Sequence, residues 1–129
     1  MPDSPSDSRV ADTLGQVEAV IQARRHADPE SSYVASLHGK GLNKILEKVG
    51  EEAIEVIIAA KELATLESER TALERDFIGE VADLWFHTLV LLNHQGCSSN
   101  DVLAVLKRRL GTSGLAEKAE RSDRSIPSG

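Results

Sequence analysis

Cysteine is almost absent from this 129-residue chain, where Cys97 stands alone. One thiol excludes an intrachain disulfide and fits a reducing compartment. Aromatic residues are also scarce: one Trp, one Tyr and two Phe. A core with so few must be built from Leu, Val, Ile and Ala, a usage that suits helices more than sheets. Basic residues are in deficit, 15 Lys and Arg against 21 Asp and Glu, for a net charge of −6. That balance argues against broad binding to nucleic acid through phosphate contacts. An anionic ligand would need a local basic group or a metal. No apolar run approaches a membrane span, and the N-terminus has no basic-then-apolar pattern. These absences predict a soluble cytoplasmic protein of one domain, large enough for its own core.

The acidic residues are plentiful and patterned. Lys48 to Leu92 contains Glu51-Glu52-Ala53-Ile54-Glu55 and later Glu80-Val81-Ala82-Asp83. Glu52 with Glu55, and Glu80 with Asp83, are each three apart inside an apolar helical pattern, so each pair shares one helix face. The stretch Leu66 to Thr71 is rich in Glu, Ser and Thr, and there the apolar rhythm weakens. A turn near Glu67 and Ser68 would fold the two helices into an antiparallel hairpin, because short links favour antiparallel neighbours. The two acidic pairs are nearly equidistant from that turn and would meet at one level.

Helical phase supports the same picture. At 100° per residue, Val49, Ala53, Val56 and Ala60 form an apolar stripe, with Lys48, Glu52, Glu55, Ala59 and Glu62 along its edge. On the second helix Phe77, Val81, Leu84 and Thr88 form the stripe, edged by Asp76, Glu80, Asp83, His87 and His94. Both acidic pairs should border the packed seam. Gathered carboxylates raise one another's pKa and destabilise a fold, and burial adds to the cost. A hard cation such as Mg²⁺ relieves that conflict and binds phosphates as well. The plainer alternative is a solvated acidic face paired with Lys48, Lys61 or Arg75.

The rest of the chain frames this stretch. Residues 1–8 are expected to be disordered, residues 9–121 to form the domain, and residues 122–129 to be a flexible tail. Val10, Leu14, Val17 and Ile21 mark a helix to about His26, with Ser8 as its cap. Asp28-Pro29 breaks it. Val34 and Leu37 anchor one short helical turn. Gly39 and Gly41 precede a helix from Leu42 to Leu66, with Lys40, Lys44 and Lys48 near its start. That arrangement can attract phosphate or be an ordinary loop with solvated lysines. Gly50 either permits close approach of a neighbour or is a tolerated surface glycine. The next helix runs from Leu73 to Asn93 and is apolar on several sides, with Ile78 and Trp85 away from Phe77 and Leu84. A small domain buries such a helix most readily against a second subunit, which predicts a homodimer. Trp85 and Phe86 are expected in the core. His87, one turn after Asp83, is either a ligand to a carboxylate or phosphate, or a satisfied core histidine. Gly96 is a C-cap, Ser98 or Ser99 caps a last helix through Leu110, and Leu115 to Arg121 allows one or two more helical turns.

These residues resemble a known family. Lys48-Val-Gly-Glu-Glu-Ala-Ile-Glu-Val56 and Glu80-Val-Ala-Asp-Leu-Trp-Phe-His87-Thr-Leu-Val-Leu-Leu92 look like the phosphoribosyl-ATP pyrophosphohydrolases, within the MazG-like superfamily. Ser32-Tyr33-Val-Ala-Ser-Leu37, Gly41-Leu-Asn-Lys44-Ile45 and Gly114-Leu-Ala-Glu-Lys-Ala119 extend the likeness to about Val10 to Arg121. The resemblance implies an all-α helical bundle, a homodimer, Mg²⁺ dependence, and hydrolysis of phosphoribosyl-ATP to phosphoribosyl-AMP and pyrophosphate in histidine biosynthesis. It implies Glu52, Glu55, Glu80 and Asp83 as metal ligands, with Glu51 as a ligand or a support. Phe86 stands where the family often has Tyr, and His38 where it often has an aromatic. Neither departure touches the acidic residues.

The chemistry implied is attack of water between the α and β positions of a triphosphate. Lys44 and Lys48 would contact the phosphates, with His87 a further substrate contact, and Glu51 or Glu55 would take the proton from water. Two other readings use the same residues: a house-cleaning nucleotide pyrophosphatase, and a helical dimerisation module with a merely acidic face. A di-iron bundle ranks last, because neither acidic pair is Glu-x-x-His.

Overall fold

Caps and breakers divide the chain into helices. The computed structural model describes residues 5–111, which form α1 (Pro5–Arg24), α2 (Tyr33–Lys40), α3 (Leu42–Thr65), α4 (Arg70–His94) and α5 (Ser99–Leu110). No strand occurs among the described residues. The protein is all-α, as its composition predicts. Residues 1–4 and 112–129, which include the Gly114–Ala119 motif and the expected tail, lie outside the described residues.

Helix boundaries shift where a local signal outweighs the apolar pattern. α1 begins at Pro5, whose fixed φ suits a first helical turn, so Ser8 lies inside the helix and does not cap it. The helix stops at Arg24, ahead of a turn in which the Ser31 and Ser32 amides donate to the Asp28 carbonyl. α2 has eight residues, more than the single turn expected. The Ser32 hydroxyl accepts the Ala35 N–H at 3.2 Å, and Val34, Ala35 and Leu37 are buried. Cap and burial together extend the helix beyond what its short sequence would support alone. The α3–α4 link is Leu66 to Glu69, at the expected place, with Glu69 in the left-handed region at φ 61°.

The far end of α4 closes on Gly96 at φ 76°. The Gly96 N–H donates to the Asn93 carbonyl at 3.1 Å and the Cys97 N–H to the Leu92 carbonyl at 2.8 Å. This double bond pattern satisfies carbonyls the helix would otherwise leave open, and the glycine supplies the positive φ without a Cβ penalty. α5 then starts from Ser98, whose N–H donates to Asp101 Oδ2 at 2.9 Å. Glu18 of α1 reaches the same helix start. Its carboxylate accepts from the Ser99 N–H and from the Ser99 hydroxyl, the latter at 2.8 Å. A negative charge there complements the positive end of the helix dipole.

Ile21, Val34, Leu37, Ile45, Leu89 and Val90 form the buried core, with Leu14, Val17, Phe86, Leu91 and Leu92 packed against it. Arg25 donates to the Asn93 carbonyl at 3.0 Å, and Asn93 Nδ2 to Gln22 Oε1 at 2.8 Å, tying α1 to α4. α1 and α2 therefore cover the start of α3 and the end of α4. Beyond that cover, Ile54, Ile57, Ile58, Ile78 and Trp85 are each more than half exposed. Trp85, expected in the core, is 59% exposed in the single chain, because α1 and α2 pack on another part of α4. Gly50 faces open space, which is the surface-glycine alternative within this chain. Among the described residues, no helix is long and apolar enough to cross a membrane.

Candidate active site

The packed faces of α3 and α4 carry the acidic residues. One oxygen each from Glu52, Glu80 and Asp83 lie within 4.8 Å of one another. Glu52 comes from α3 and the other two from α4, so the group spans the helix pair. Glu52 is buried, Glu80 is half-buried and Asp83 is exposed. This gradient gives the group a dry back and an open front.

Burial and mutual repulsion tax the charged forms. The Glu52 carboxyl is pushed up to about 7, first by desolvation, then by its contact with Glu55 and by the charges of Glu55 and Asp83, with Lys48 opposing. Glu80 is raised as well, first by sharing a hydrogen bond with Glu55, then by burial and the charges of Glu55, Asp83 and Asp76. Glu55 thus touches both Glu52 and Glu80, although it is not one of the three whose oxygens converge. Glu52 Oε2 and Glu80 Oε2 are buried with no hydrogen-bond partner. Buried acceptors left unpaired are costly, and such groups in a folded protein point to something that binds them. A divalent cation fits this donor set: Glu52, Glu80 and Asp83 would hold it, and its charge would relieve their repulsion. The group opens onto a cleft of about 470 Å³, lined by Glu55, Glu62, Arg75, Asp76, Glu80 and Asp83 among others.

The remaining sequence-predicted residues flank this centre. Lys44 pairs with Glu47 at 3.4 Å and Lys48 with Glu51 at 3.0 Å. Exposed pairs of this kind contribute little and exchange readily, so both ammonium groups are able to turn to a phosphate. Glu51 is exposed, and the hydrogen bond from Lys48 holds its carboxyl below the ordinary range. That lowered pKa and the ion pair with Lys48 make Glu51 a poor general base. His87 is enclosed behind Glu52, 6% exposed. Its Nδ1 lies 2.8 Å from the Asp83 carbonyl and its Nε2 2.7 Å from the Tyr33 hydroxyl. Both ring nitrogens are engaged within the protein, as in a satisfied core histidine.

Tyr33 is the residue that reading the sequence overlooked. It sits at the start of α2, beside Ser32, far along the chain from the acidic motifs. Its ring stacks on Phe86 with centroids 6.4 Å apart. Two signals were available: its place in the family-like Ser32–Leu37 stretch, and its rarity as a single Tyr directly after a capping serine.

Fold and site together describe an all-helical protein with an acidic group fit for a divalent cation at the mouth of a cleft. The comparisons narrow this further. A family model for phosphoribosyl-ATP pyrophosphohydrolase matches residues 14–110. A phosphoribosyl-ATP pyrophosphatase of Hydrogenovibrio crunogenus (strain DSM 25203 / XCL-2) is 53% identical over 111 residues, spanning 86% of this chain and 94% of the relative. The chain belongs to the phosphoribosyl-ATP pyrophosphohydrolase family.

The raised carboxyl of Glu52 has a consequence for stability. The folded protein holds a proton there from the ordinary carboxyl value of 4.5 up to about 7, whereas the unfolded chain has released it. The metal-free protein therefore carries this stabilisation below pH 4.5 and loses it as pH rises through 7. Glu52→Gln has no such proton to lose. Denaturant unfolding in chelator should show the variant gaining on the parent by about 3 kcal/mol between pH 4 and pH 8. Parallel stability curves for the two proteins would contradict the crowded-carboxylate picture.

Proposed function

We propose that the acidic group holds Mg²⁺ against the phosphate chain of phosphoribosyl-ATP, and that the protein hydrolyses this nucleotide to phosphoribosyl-AMP and pyrophosphate in histidine biosynthesis. One observation carries the reading: Glu52, Glu80 and Asp83 converge in a member of this family, and two of the three each bury an oxygen without a hydrogen-bond partner. Substrate and reaction are taken from the family and from the Hydrogenovibrio relative. A cytoplasmic location accords with such a biosynthetic step.

Glu52, Glu80 and Asp83 would hold the cation, and Glu55, expected as a fourth ligand, stands at the rim outside the three that converge. When bound, Mg²⁺ supplies charge neutralisation for the phosphates and lowers the pKa of a coordinated water. Glu55 is exposed and borders the cleft, so it is the better-placed acceptor for the proton of the attacking water. Lys44 and Lys48 release their glutamate partners to meet the phosphates. Arg75 lines the same cleft as Glu55, Glu80 and Asp83 and offers a bidentate contact to a phosphate. His87, first read as a substrate contact, is assigned here to support Glu52, since both its nitrogens are taken.

The frame that positions these groups is an antiparallel α3–α4 hairpin. Its support is the reversed order of contacts: Glu52 with Asp83 and His87, then Glu55 with Glu80. A homodimer completes the bundle in this reading. Ile54, Ile57 and Ile58 on α3, with Ile78 and Trp85 on α4, leave large apolar side chains in water. An apolar surface of this extent on two adjacent helices marks an association site.

Two measurements test the metal site and the dimer. Pyrophosphate release from phosphoribosyl-ATP should require added Mg²⁺, stop with chelator, and fall on the order of 100-fold or more in Asp83→Asn. Undiminished turnover by the variant or in chelator would sink the metal-site reading. Sedimentation equilibrium at micromolar protein should return the mass of two chains, and the mass of one chain would remove the dimer.

A further inference from the structure

The Tyr33–His87 contact bears directly on Glu52. It begins from the one partner whose role is fixed. The Asp83 backbone carbonyl can only accept, so at 2.8 Å His87 Nδ1 carries the hydrogen. With its proton at Nδ1, the neutral ring presents a lone pair at Nε2. The Tyr33 hydroxyl, 2.7 Å away, donates into it. Phe86 packs edge-on to the same ring, with centroids 5.4 Å apart, and also stacks on Tyr33. The imidazole is therefore held at both nitrogens and along one face. Its Nδ1 edge lies 3.8 Å from Glu52 Oε1, too far for a hydrogen bond and close enough to form the wall behind that carboxylate.

We propose that Tyr33 is a positioning residue: its hydroxyl fixes the His87 ring, and the fixed ring keeps Glu52 turned toward Glu80 and Asp83. The inference rests on the metal-site reading above and adds a residue from α2, outside the helix pair that carries the acids. The physical logic is orientation. Glu52 Oε2 is buried and has no hydrogen-bond partner, so beyond the contact with Glu55 the carboxylate's direction is set by packing. The wall that packs it is the one ring whose orientation the Tyr33 hydroxyl controls. Groups that orient a ligand from behind commonly change metal affinity 10- to 100-fold when removed.

Tyr33→Phe is the test, since it deletes one hydroxyl and keeps the ring. Three readouts separate positioning from mere stacking. In ¹⁵N-histidine-labelled protein, the acceptor nitrogen of His87 should move downfield when its donor is lost. Calorimetric titration with Mg²⁺ alone should show affinity weakened at least about tenfold. At saturating Mg²⁺ and with phosphoribosyl-ATP as substrate, kcat should fall while KM holds, because no substrate contact has been removed. Wild-type Mg²⁺ affinity in the variant overturns the proposal, as does an unmoved His87 signal. A parent protein that binds no Mg²⁺ would instead overturn the reading of the site itself.

Discussion

Repulsion among carboxylates at one level of two packed helices is the constraint the rest of the structure serves. Glu52, Glu80 and Asp83 converge within 4.8 Å, with Glu55 beside them. Water would separate such groups if the backbone allowed it. The backbone does not allow it, because a four-residue link and a continuous seam hold α3 against α4. The cost appears in the raised carboxyls of Glu52 and Glu80 and in the two oxygens that lack a partner. Sites that store unfavourable charge in this way are suited to a ligand of opposite sign.

That stored cost has to be offset elsewhere. The hydrophobic core supplies the offset and lies to one side of the acids, where Ile21 of α1, Leu37 of α2, Ile45 of α3 and Val90 of α4 are fully enclosed. Caps add to it locally. Glu18 and Asp101 both serve the start of α5, and Gly96 closes the end of α4. The acidic level is left beside the core and open on one side to a cleft. The arrangement keeps Glu52 dry while leaving Asp83 and Glu55 in reach of solvent.

Much of this was legible from residue spacing. Helical phase placed Glu52 with Glu55 and Glu80 with Asp83 at the edges of apolar stripes, and the weakened rhythm after Leu66 located the link. Other features were hidden for physical reasons. The length of α2 depends on the Ser32 cap and on burial of Leu37 against other helices, which no local pattern reveals. The exposure of Trp85 depends on which side of α4 its neighbours cover. Tyr33 meets His87 across 54 residues of chain, a contact made by the packing of α2 and not by any motif. The same packing turned His87 inward, where a count of turns after Asp83 left it free to face either way.

The central claim concerns where one cation sits, and anomalous scattering from crystals soaked in Mn²⁺, a close chemical substitute for Mg²⁺, tests it most directly. The account predicts a single strong peak among the carboxylates of Glu52, Glu80 and Asp83, at bonding distance from the oxygens that otherwise lack partners. Density for the ion elsewhere, or none between these three side chains at saturating Mn²⁺, would contradict it.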